Sequence, residues 1–302
     1  PYTSSSNYLH SISSASSSLS VSKFTSVPIS INAAERVLKC FHLLQFILSF
    51  IHYPCKLKLI DLKNHLDKCC IFCGTVAVRN KVIFIPSKGD VIGVFDTSAE
   101  AAVPSSLSTV SLGGLVRCEG EDMFRGNGAV IGTTAYFAPY NADVIGVFDT
   151  AANDGEGEFS TINLGGTMHS MLYTFDGCVA LGSKVYFTPS CSDEILVLDT
   201  TAPAGQPRLA TISTGMFISF KFSGSSVVGT KIVFPPYNAD CIGILDTTAN
   251  AGAGAFSTFS LQGMVGANYK FSNSAVVDNK VYFAPYTADV VGVFDIEANG
   301  GQ

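Results

Sequence analysis

Charged residues are scarce in this sequence. Asp, Glu, Lys and Arg make up only 14% of its 302 residues, against about 25% in an average globular chain. Long surface helices carry rows of such residues, so their scarcity disfavours a mostly helical or coiled-coil protein. Tryptophan is missing altogether.

The sequence motifs of several large enzyme classes are also missing. The chain contains no Walker loop, no Gly-x-Gly-x-x-Gly opening a helix, no His-Glu-x-x-His and no Gly-x-Ser-x-Gly. Residues 68–302 hold twelve Lys or Arg and twenty-one Asp or Glu. An acidic region of this size argues against a nucleic-acid groove, which needs clustered positive charge.

Glycine, phenylalanine and tyrosine are abundant instead. There are 28 Gly, 22 Phe and 11 Tyr, a balance typical of short strands that pack on aromatic rings and are joined by tight turns. Hydrophobic residues reach 47% of the chain, enough for a sizeable core. The composition predicts an all-β fold.

A short phrase occurs five times in the sequence, and in every copy a Pro precedes an Asp by ten residues. Successive Asp residues are 53, 50, 47 and 49 residues apart, so length varies outside the phrase but not within it. A period of this size indicates a repeat architecture. The Pro and Asp pairs are Pro86 and Asp96, Pro139 and Asp149, Pro189 and Asp199, Pro236 and Asp246, and Pro285 and Asp295.

Each repeat divides into four strand-like runs. In the fourth repeat these are 226–228, 231–234, 241–245 and 256–261, separated by turn residues. Four short antiparallel strands per repeat are typical of a propeller blade. The sequence therefore predicts a β-propeller over 68–302, of at least five four-stranded blades: 68–114, 115–166, 167–215, 216–263 and 264–302.

The repeat resembles that of YVTN-type β-propellers. Residues 135–150 read Ala-Tyr-Phe-Ala-Pro-Tyr-Asn-Ala-Asp-Val-Ile-Gly-Val-Phe-Asp-Thr, similar to the family's Tyr-rich strand, Asn-containing turn and strand ending in Asp-Thr. Kelch- and NHL-like propellers are looser neighbours, and WD40 repeats are disfavoured by the lack of Trp. The resemblance implies the propeller fold. It implies no particular function, because the propellers of this family serve many functions.

Two segments precede the repeats. Residues 1–32 are rich in serine and are interpreted as a linker-like segment with a candidate outer blade strand at 24–29. Residues 33–67 are interpreted as an apolar helical insertion. Its uncharged run is shorter than the ~20 residues that a membrane span needs, so a helix on the propeller rim is favoured over membrane insertion.

The fifth repeat ends just after its third predicted strand. Two explanations stay open. Either the chain is a fragment of a longer propeller, or residues 24–29 supply the missing outer strand. Pro28 is compatible with the second because an outer blade strand is an edge strand.

Two acids recur in every repeat, six residues apart, as in Asp143 and Asp149. Calcium binding is one interpretation, because hard cations take carboxylate oxygens. A structural role is favoured, because Asp side chains define turns by accepting bonds from nearby backbone N–H groups. No metal site and no cofactor are predicted.

The nine cysteines do not recur with the repeat, which argues against a disulfide framework and favours a reducing, cytoplasmic compartment. Cys69, Cys70 and Cys73, with His65 nearby, keep a zinc site as an alternative. The favoured interpretation is that Cys73 simply enters an inner strand.

The candidate binding residues lie where propellers usually present their sites, in the blade-to-blade loops and the turns between second and third strands. His169 departs from the repeat and is the one plausible general base. Lys221 and Lys270 occupy equivalent places and would suit a polar partner, but solvated rim lysines are the favoured interpretation. The tyrosines Tyr140, Tyr237 and Tyr286 recur in the turns.

The expected function is binding or scaffolding without catalysis, through a loop-built face that takes a protein or a small polar ligand. The alternative is a hydrolase or lyase with its site at the mouth of the central channel. An enzyme needs two or three polar side chains that break the repeat at one place. The sequence predicts no catalytic residue, no nucleic-acid partner and no membrane association.

Overall fold

The computed structural model describes residues 72–98, 107–114, 116, 122–165, 172–203, 208–261, 263–266 and 268–298. All of these belong to one structural unit, Ile60–Gln302. The segments 1–32 and 33–67 lie outside the described residues, and so do the strand expected at 24–29 and the helix expected after residue 33. Among the described residues, no helix is long and apolar enough to cross a membrane.

The described chain folds into five antiparallel sheets that follow one another in sequence, which confirms the predicted all-β propeller. Four sheets have four strands each, and the fifth has three within residues 268–298. The strands are β1 Phe72–Val78, β2 Lys81–Pro86, β3 Val91–Asp96 and β4 Leu107–Ser111; β5 Ala129–Ile131, β6 Thr134–Phe137, β7 Val144–Asp149 and β8 Glu158–Asn163; β9 Phe175–Leu181, β10 Lys184–Pro189, β11 Glu194–Asp199 and β12 Leu209–Ser213; β13 Ser226–Val228, β14 Lys231–Phe234, β15 Cys241–Asp246 and β16 Ala255–Ser260; and β17 Phe271–Val277, β18 Lys280–Pro285 and β19 Gly292–Asp295.

The ten-residue spacing from Pro to Asp encodes a hairpin. In the second blade, Thr134 of β6 pairs with Asp149 of β7, and Phe137 pairs with Gly146. The same pairing recurs in the other blades, for example between Lys231 and Asp246. The repeat is rigid because one fixed register serves every blade.

The core lies between neighbouring blades. Each blade pairs a Phe that precedes or opens its first strand with a Phe of its second strand, at ring distances of 5.6 to 5.9 Å. Apolar side chains of the preceding blade cover these rings; Ile83, Ile85 and Ile92 of the first blade pack in one cluster with Phe124 and Phe137 of the second. The abundance of Phe therefore reflects one pair of packed rings that recurs in every blade.

The first strands approach one another closely around the central channel. A Cβ atom on Gly126 would lie 2.6 Å from the Cα atom of Gly177 in the next blade, and Gly126 has a φ of +71°. Both constraints require glycine. Backbone bonds such as Gly224 N–H to the Asp176 carbonyl oxygen, at 3.0 Å, then join adjacent blades at the channel.

Candidate binding site at the channel mouth

Two sets of connections lie at the same end of the blades, and we call the surface they build the loop face. One set leads from each blade to the first strand of the next, and the other joins the second and third strands of one blade. Within the described residues, the loop face comprises 112–114, 116, 122–128, 164–165, 172–174, 214–225, 261, 263–266 and 268–270 from the first set, and 87–90, 138–143, 190–193, 235–240 and 286–291 from the second.

One position of the repeat carries a different side chain from blade to blade. It directly follows the conserved Phe that precedes or opens the first strand. All five residues at this position line one cavity of about 210 Å³ at the channel mouth, next to the glycines described above. They are Cys73, Arg125, Asp176, Ser223 and Ser272.

Three of these residues form a polar network. Nε of Arg125 lies 3.7 Å from Oδ1 of Asp176, and the Ser223 hydroxyl donates to Oδ2 of Asp176 at 2.9 Å. Arg125 also donates from Nη1 to the hydroxyl oxygen of Tyr140 at 2.6 Å, with its guanidinium 4.7 Å from the centre of that ring. A charged pair with hydroxyl partners thus occupies the place where the repeat loses its symmetry.

Burial controls the protonation of this network. Desolvation raises the pKa of the Asp176 carboxyl above its ordinary value, while Arg125 and the Ser223 hydroxyl oppose the rise. Desolvation disfavours the charge of Arg125, but Asp176, Tyr140 and Asp122 together raise the pKa of its guanidinium. Desolvation also raises the pKa of the Cys73 thiol to about 11, so this thiol is neutral near pH 7. The described lining therefore holds one basic and one acidic side chain, Arg125 and Asp176, and desolvation disfavours the charged form of both.

The recurring Asn of the turn fixes the aromatic side chains beside the mouth. Oδ1 of Asn141 accepts the N–H of Tyr173 at 3.0 Å, and Oδ1 of Asn238 accepts the N–H of Tyr269 at 3.1 Å. Both tyrosines have positive φ, 62° and 57°. The turn of one blade therefore places an aromatic ring at the entrance of the next blade.

The predicted tyrosines belong to two aromatic groups on the loop face. Tyr140 is buried, with its ring 5.1 Å from Tyr173. Tyr237 is half-buried and lies 4.9 Å from Tyr269 and 5.7 Å from Tyr286, which is exposed. Of the predicted tyrosines, only Tyr140 directly contacts the channel-mouth network.

The two predicted lysines are not surface residues, which corrects the expectation that they present charge on this face. Lys221 is 0% exposed and Lys270 is 2% exposed. Lys221 donates to the carbonyl oxygens of Ser190 and Ser192, at 3.2 and 2.5 Å. The interpretation as solvated rim lysines is wrong for the same reason. His169, the remaining predicted binding residue, lies outside the described residues.

Of the two recurring acids, the one that ends each third strand defines a turn, as the favoured interpretation held for it. Oδ1 of Asp149 accepts the N–H of Ala151 at 3.0 Å and the hydroxyl of Thr133 at 2.9 Å. The Asp that ends the third strand accepts a bond from the N–H two residues later in every other blade too. In the described part of the chain, no three His, Cys, Asp or Glu side chains form a group that could hold a metal ion. Cys69, Cys70 and His65 lie outside that part.

Arg125, Asp176 and Ser223 were not predicted, although the repeat contains a signal for them. Aligning the Phe that precedes or opens each first strand places Cys73, Asp176, Ser223 and Ser272 in one column. Phe137 follows Phe124 by thirteen positions, whereas the corresponding spacing in the other blades is twelve, and this insertion obscures Arg125. The informative feature is a polar column whose members differ from blade to blade.

Comparison with known proteins supports the fold. No family model matches the chain, and no curated protein matches it. Similar solved structures include virginiamycin B lyase from Staphylococcus aureus, in a catalytically inactive form with quinupristin, at 13% identity and a TM-score of 0.54, covering 76% of this chain and 67% of that one. A streptogramin B lyase structure has 14% identity and a TM-score of 0.53, covering 76% and 66%.

A third similar structure is a protein from Bacteroides uniformis described as a candidate 6-phosphogluconolactonase. It has 11% identity and a TM-score of 0.52, covering 73% of this chain and 65% of that one. The chain thus covers about two thirds of the length of these proteins. At such low identities the likeness shows a β-propeller fold and nothing more specific.

Proposed function

We propose that this protein is a non-enzymatic binding propeller that takes a small polar ligand at the channel mouth on its loop face. The observation that carries the proposal is that equivalent positions of adjacent blades carry unlike side chains. At these positions Nε of Arg125 lies 3.7 Å from Oδ1 of Asp176. A ring of identical blades has no unique site. Here the unlike side chains converge on one cavity, as binding sites with few, well-placed polar groups do.

The aromatic residues of the loop face support the same site. Tyr140 contacts Arg125, and Tyr173 and Phe220 extend an aromatic row from it at ring distances of 5.1 and 5.3 Å. Rings held this way by backbone bonds lose little side-chain freedom when a ligand packs on them. Tyr140 and Tyr237 lie in Pro-Tyr-Asn turns, and this phrase also supports assignment to the YVTN-type repeat.

A different observation supports a protein partner as a second candidate. Large apolar side chains are exposed on the loop face, notably Leu172 at 59%, Phe217 at 87% and Tyr286 at 63%. Exposed apolar clusters with polar surroundings often mark protein interfaces. A protein bound there would lose affinity on Phe217→Ser, whereas a small ligand held in the cavity would not.

The hydrolase or lyase alternative rests on Asp176. A buried carboxyl with a raised pKa beside a cation is a common arrangement for a catalytic acid or base. The similar solved structures include lyases, but at their identities this adds only the fold. An enzyme would convert a bound ligand, whereas the binding function leaves it unchanged.

Ligand-observed NMR tests the proposal. A panel of small polar molecules is screened against the wild type, Arg125→Gln and the matched control Arg79→Gln. The control makes the same change in an exposed turn that follows β1, at the end of the blade away from the loop face. We expect binding to the wild type and to Arg79→Gln, weakened by about tenfold in Arg125→Gln. Binding unaffected by Arg125→Gln would place the site elsewhere. Conversion of the ligand during incubation would favour the enzyme.

A further inference from the structure

The side chains that line the cavity at the channel mouth also limit the class of ligand. This inference rests on the function proposed above. We propose that the cavity takes an uncharged polyhydroxylated molecule about as large as a single sugar ring, such as a monosaccharide or a cyclitol. Four properties of the lining lead to this ligand class: its charge balance, its hydrogen-bonding capacity, its unused polar groups and its size.

The charges of the lining cancel. Among the described residues of the lining, Arg125 and Asp176 are the only Lys, Arg, Asp or Glu, and they pair with each other. A ligand anion would compete with the Asp176 carboxylate for Arg125, and Asp122 adds negative charge beside the guanidinium. A ligand cation would have to approach Arg125 itself. A ligand with no net charge avoids both penalties, which are largest beside the buried Asp176 carboxyl.

Hydrogen-bonding capacity points to hydroxyl groups. Arg125 only donates and ionised Asp176 only accepts, whereas serine hydroxyls and asparagine amides do both. Donors, acceptors and groups that do both therefore line the same small cavity. Only a group that both donates and accepts finds partners wherever it is placed, and the hydroxyl is such a group. Adjacent hydroxyls of a polyol would meet the carboxylate and the guanidinium together.

Part of this capacity is unused by the protein. Within the described residues, the side chains of Asn127 and Ser272 make no hydrogen bond to other groups of the chain, and both line the cavity. One of the five N–H groups of Arg125 is directed to the Tyr140 hydroxyl oxygen. Asp176 is 8% exposed, and its Oδ2 already accepts from Ser223. A buried, oriented carboxylate beside free donors is therefore ready for a ligand.

The size of the cavity sets an upper limit. Its volume of about 210 Å³ is below the roughly 300 to 1,000 Å³ that is usual for drug-sized ligands. The glycines of the first strands keep the opening narrow, since a Cβ atom on Gly74 would meet the Gly126 carbonyl oxygen. One sugar ring fits this limit better than an oligosaccharide.

Three probes that differ mainly in charge test the ligand class. Glucose is neutral, glucuronate carries a carboxylate on the same ring and glucosamine carries an ammonium group; galactose, mannose and myo-inositol extend the neutral set. Binding is measured by saturation-transfer NMR and by titration. We expect at least one neutral probe to bind the wild type, and glucuronate and glucosamine to bind about tenfold more weakly or not at all.

Variants that change the charge of Asp176 or Arg125 provide the decisive comparison. Asp176→Asn leaves Arg125 unpaired and should shift the preference towards glucuronate, while Arg125→Gln leaves Asp176 unpaired and should shift it towards glucosamine. Arg79→Gln should change no preference. Because Asp176 is buried and its variant risks misfolding, Arg125→Gln, at 39% side-chain exposure, gives an independent measurement. Circular dichroism confirms the fold of each variant.

Each outcome decides between the two proposals. Tightest wild-type binding of glucuronate or glucosamine, or of a non-polyol from the wider screen, overturns the ligand class and leaves the binding function intact. Neutral binding that ignores both charge variants overturns the placement at this cavity. If no polar molecule of either screen binds the wild type, the ligand class and the small-ligand function fall together.

Discussion

The ammonium nitrogen of Lys221 lies 2.5 Å from the carbonyl oxygen of Ser192, a residue of the preceding blade. Lys270 repeats the arrangement one blade later, where its ammonium lies 3.4 Å from the Asn238 carbonyl oxygen and 2.9 Å from Oδ1 of Asp240. Each lysine therefore joins the entrance of one blade to the turn of the blade before it. These buried ion and hydrogen-bond contacts belong to the architecture of the propeller.

Removing either lysine should destabilise the protein. Lys221→Ala leaves the carbonyl oxygens of Ser190 and Ser192 without this donor, which should lower the free energy of unfolding by roughly 1–3 kcal/mol. Lys270→Ala should act in the same direction. Lys184→Ala, in a half-buried strand position, serves as the control and should stay within about 0.5 kcal/mol. Urea titration measures all three, and equal midpoints for Lys221→Ala and Lys184→Ala would contradict the structural role.

Lys221 should also make stability depend on pH. Desolvation lowers the pKa of its ammonium group to about 8 in the folded protein, whereas an unfolded lysine titrates near 10.4. Between these values the unfolded chain binds the additional proton, so stability rises with pH by at most about 1.4 kcal/mol per unit. Below pH 8 both states are protonated and this contribution is flat.

The difference between wild type and Lys221→Met isolates this effect, because tyrosines and thiols titrate in both proteins. The free energy of unfolding is measured for each at pH 7, 8, 9 and 10. The wild type should gain stability relative to Lys221→Met above pH 8. A constant difference across this range would show that the folded pKa is not lowered.

The strand order, the hairpin register and the blade period were accessible from the sequence because they depend on local patterns. The spacing from Pro139 to Asp149 fixes one hairpin, and alternating apolar residues fix which side of each strand is buried. Predicted bounds in the fourth repeat differ from β13 to β16 by no more than one residue.

The burial of Lys221 and the pairing of Arg125 with Asp176 could not be predicted in the same way. The partners of Lys221 are carbonyl oxygens, which every residue carries, so nothing in the sequence marks them. Arg125 and Asp176 lie 51 residues apart and meet only because adjacent blades bring equivalent positions together at the channel. Such contacts follow from the packing of adjacent blades and not from any single repeat.

The recurring Asp at the end of each third strand should be required for stability. Asp149→Ala removes the acceptor of the Ala151 N–H and the Thr133 hydroxyl and should cost roughly 1–3 kcal/mol. Asp149→Asn keeps an acceptor oxygen in the same place and should recover most of this loss. Thermal melts of the two variants give the comparison. If Asn and Ala destabilise equally, charge rather than turn geometry explains the recurrence.

Two short 3-10 helices, Asn153–Gly155 and Asn250–Gly252, occupy the same loop of the second and fourth blades and contain residues of positive φ. Ala251 is one of them, with φ 56° and ψ 35°, and it is exposed to solvent. A residue with a Cβ atom in this left-handed region pays about 1–2 kcal/mol. Glycine avoids that strain, although it also gives the unfolded chain more freedom.

Ala251→Gly should therefore stabilise the protein by about 0.5–1 kcal/mol, the net of these two effects. Ala253→Gly is the matched control two residues later, where φ is −73°. There glycine relieves no strain and should destabilise by about 0.5–1 kcal/mol. The two variants lose the same atom from the same exposed loop, so opposite shifts in the urea midpoint can only come from backbone conformation. Equal shifts would show that Ala251 does not hold the left-handed conformation in solution.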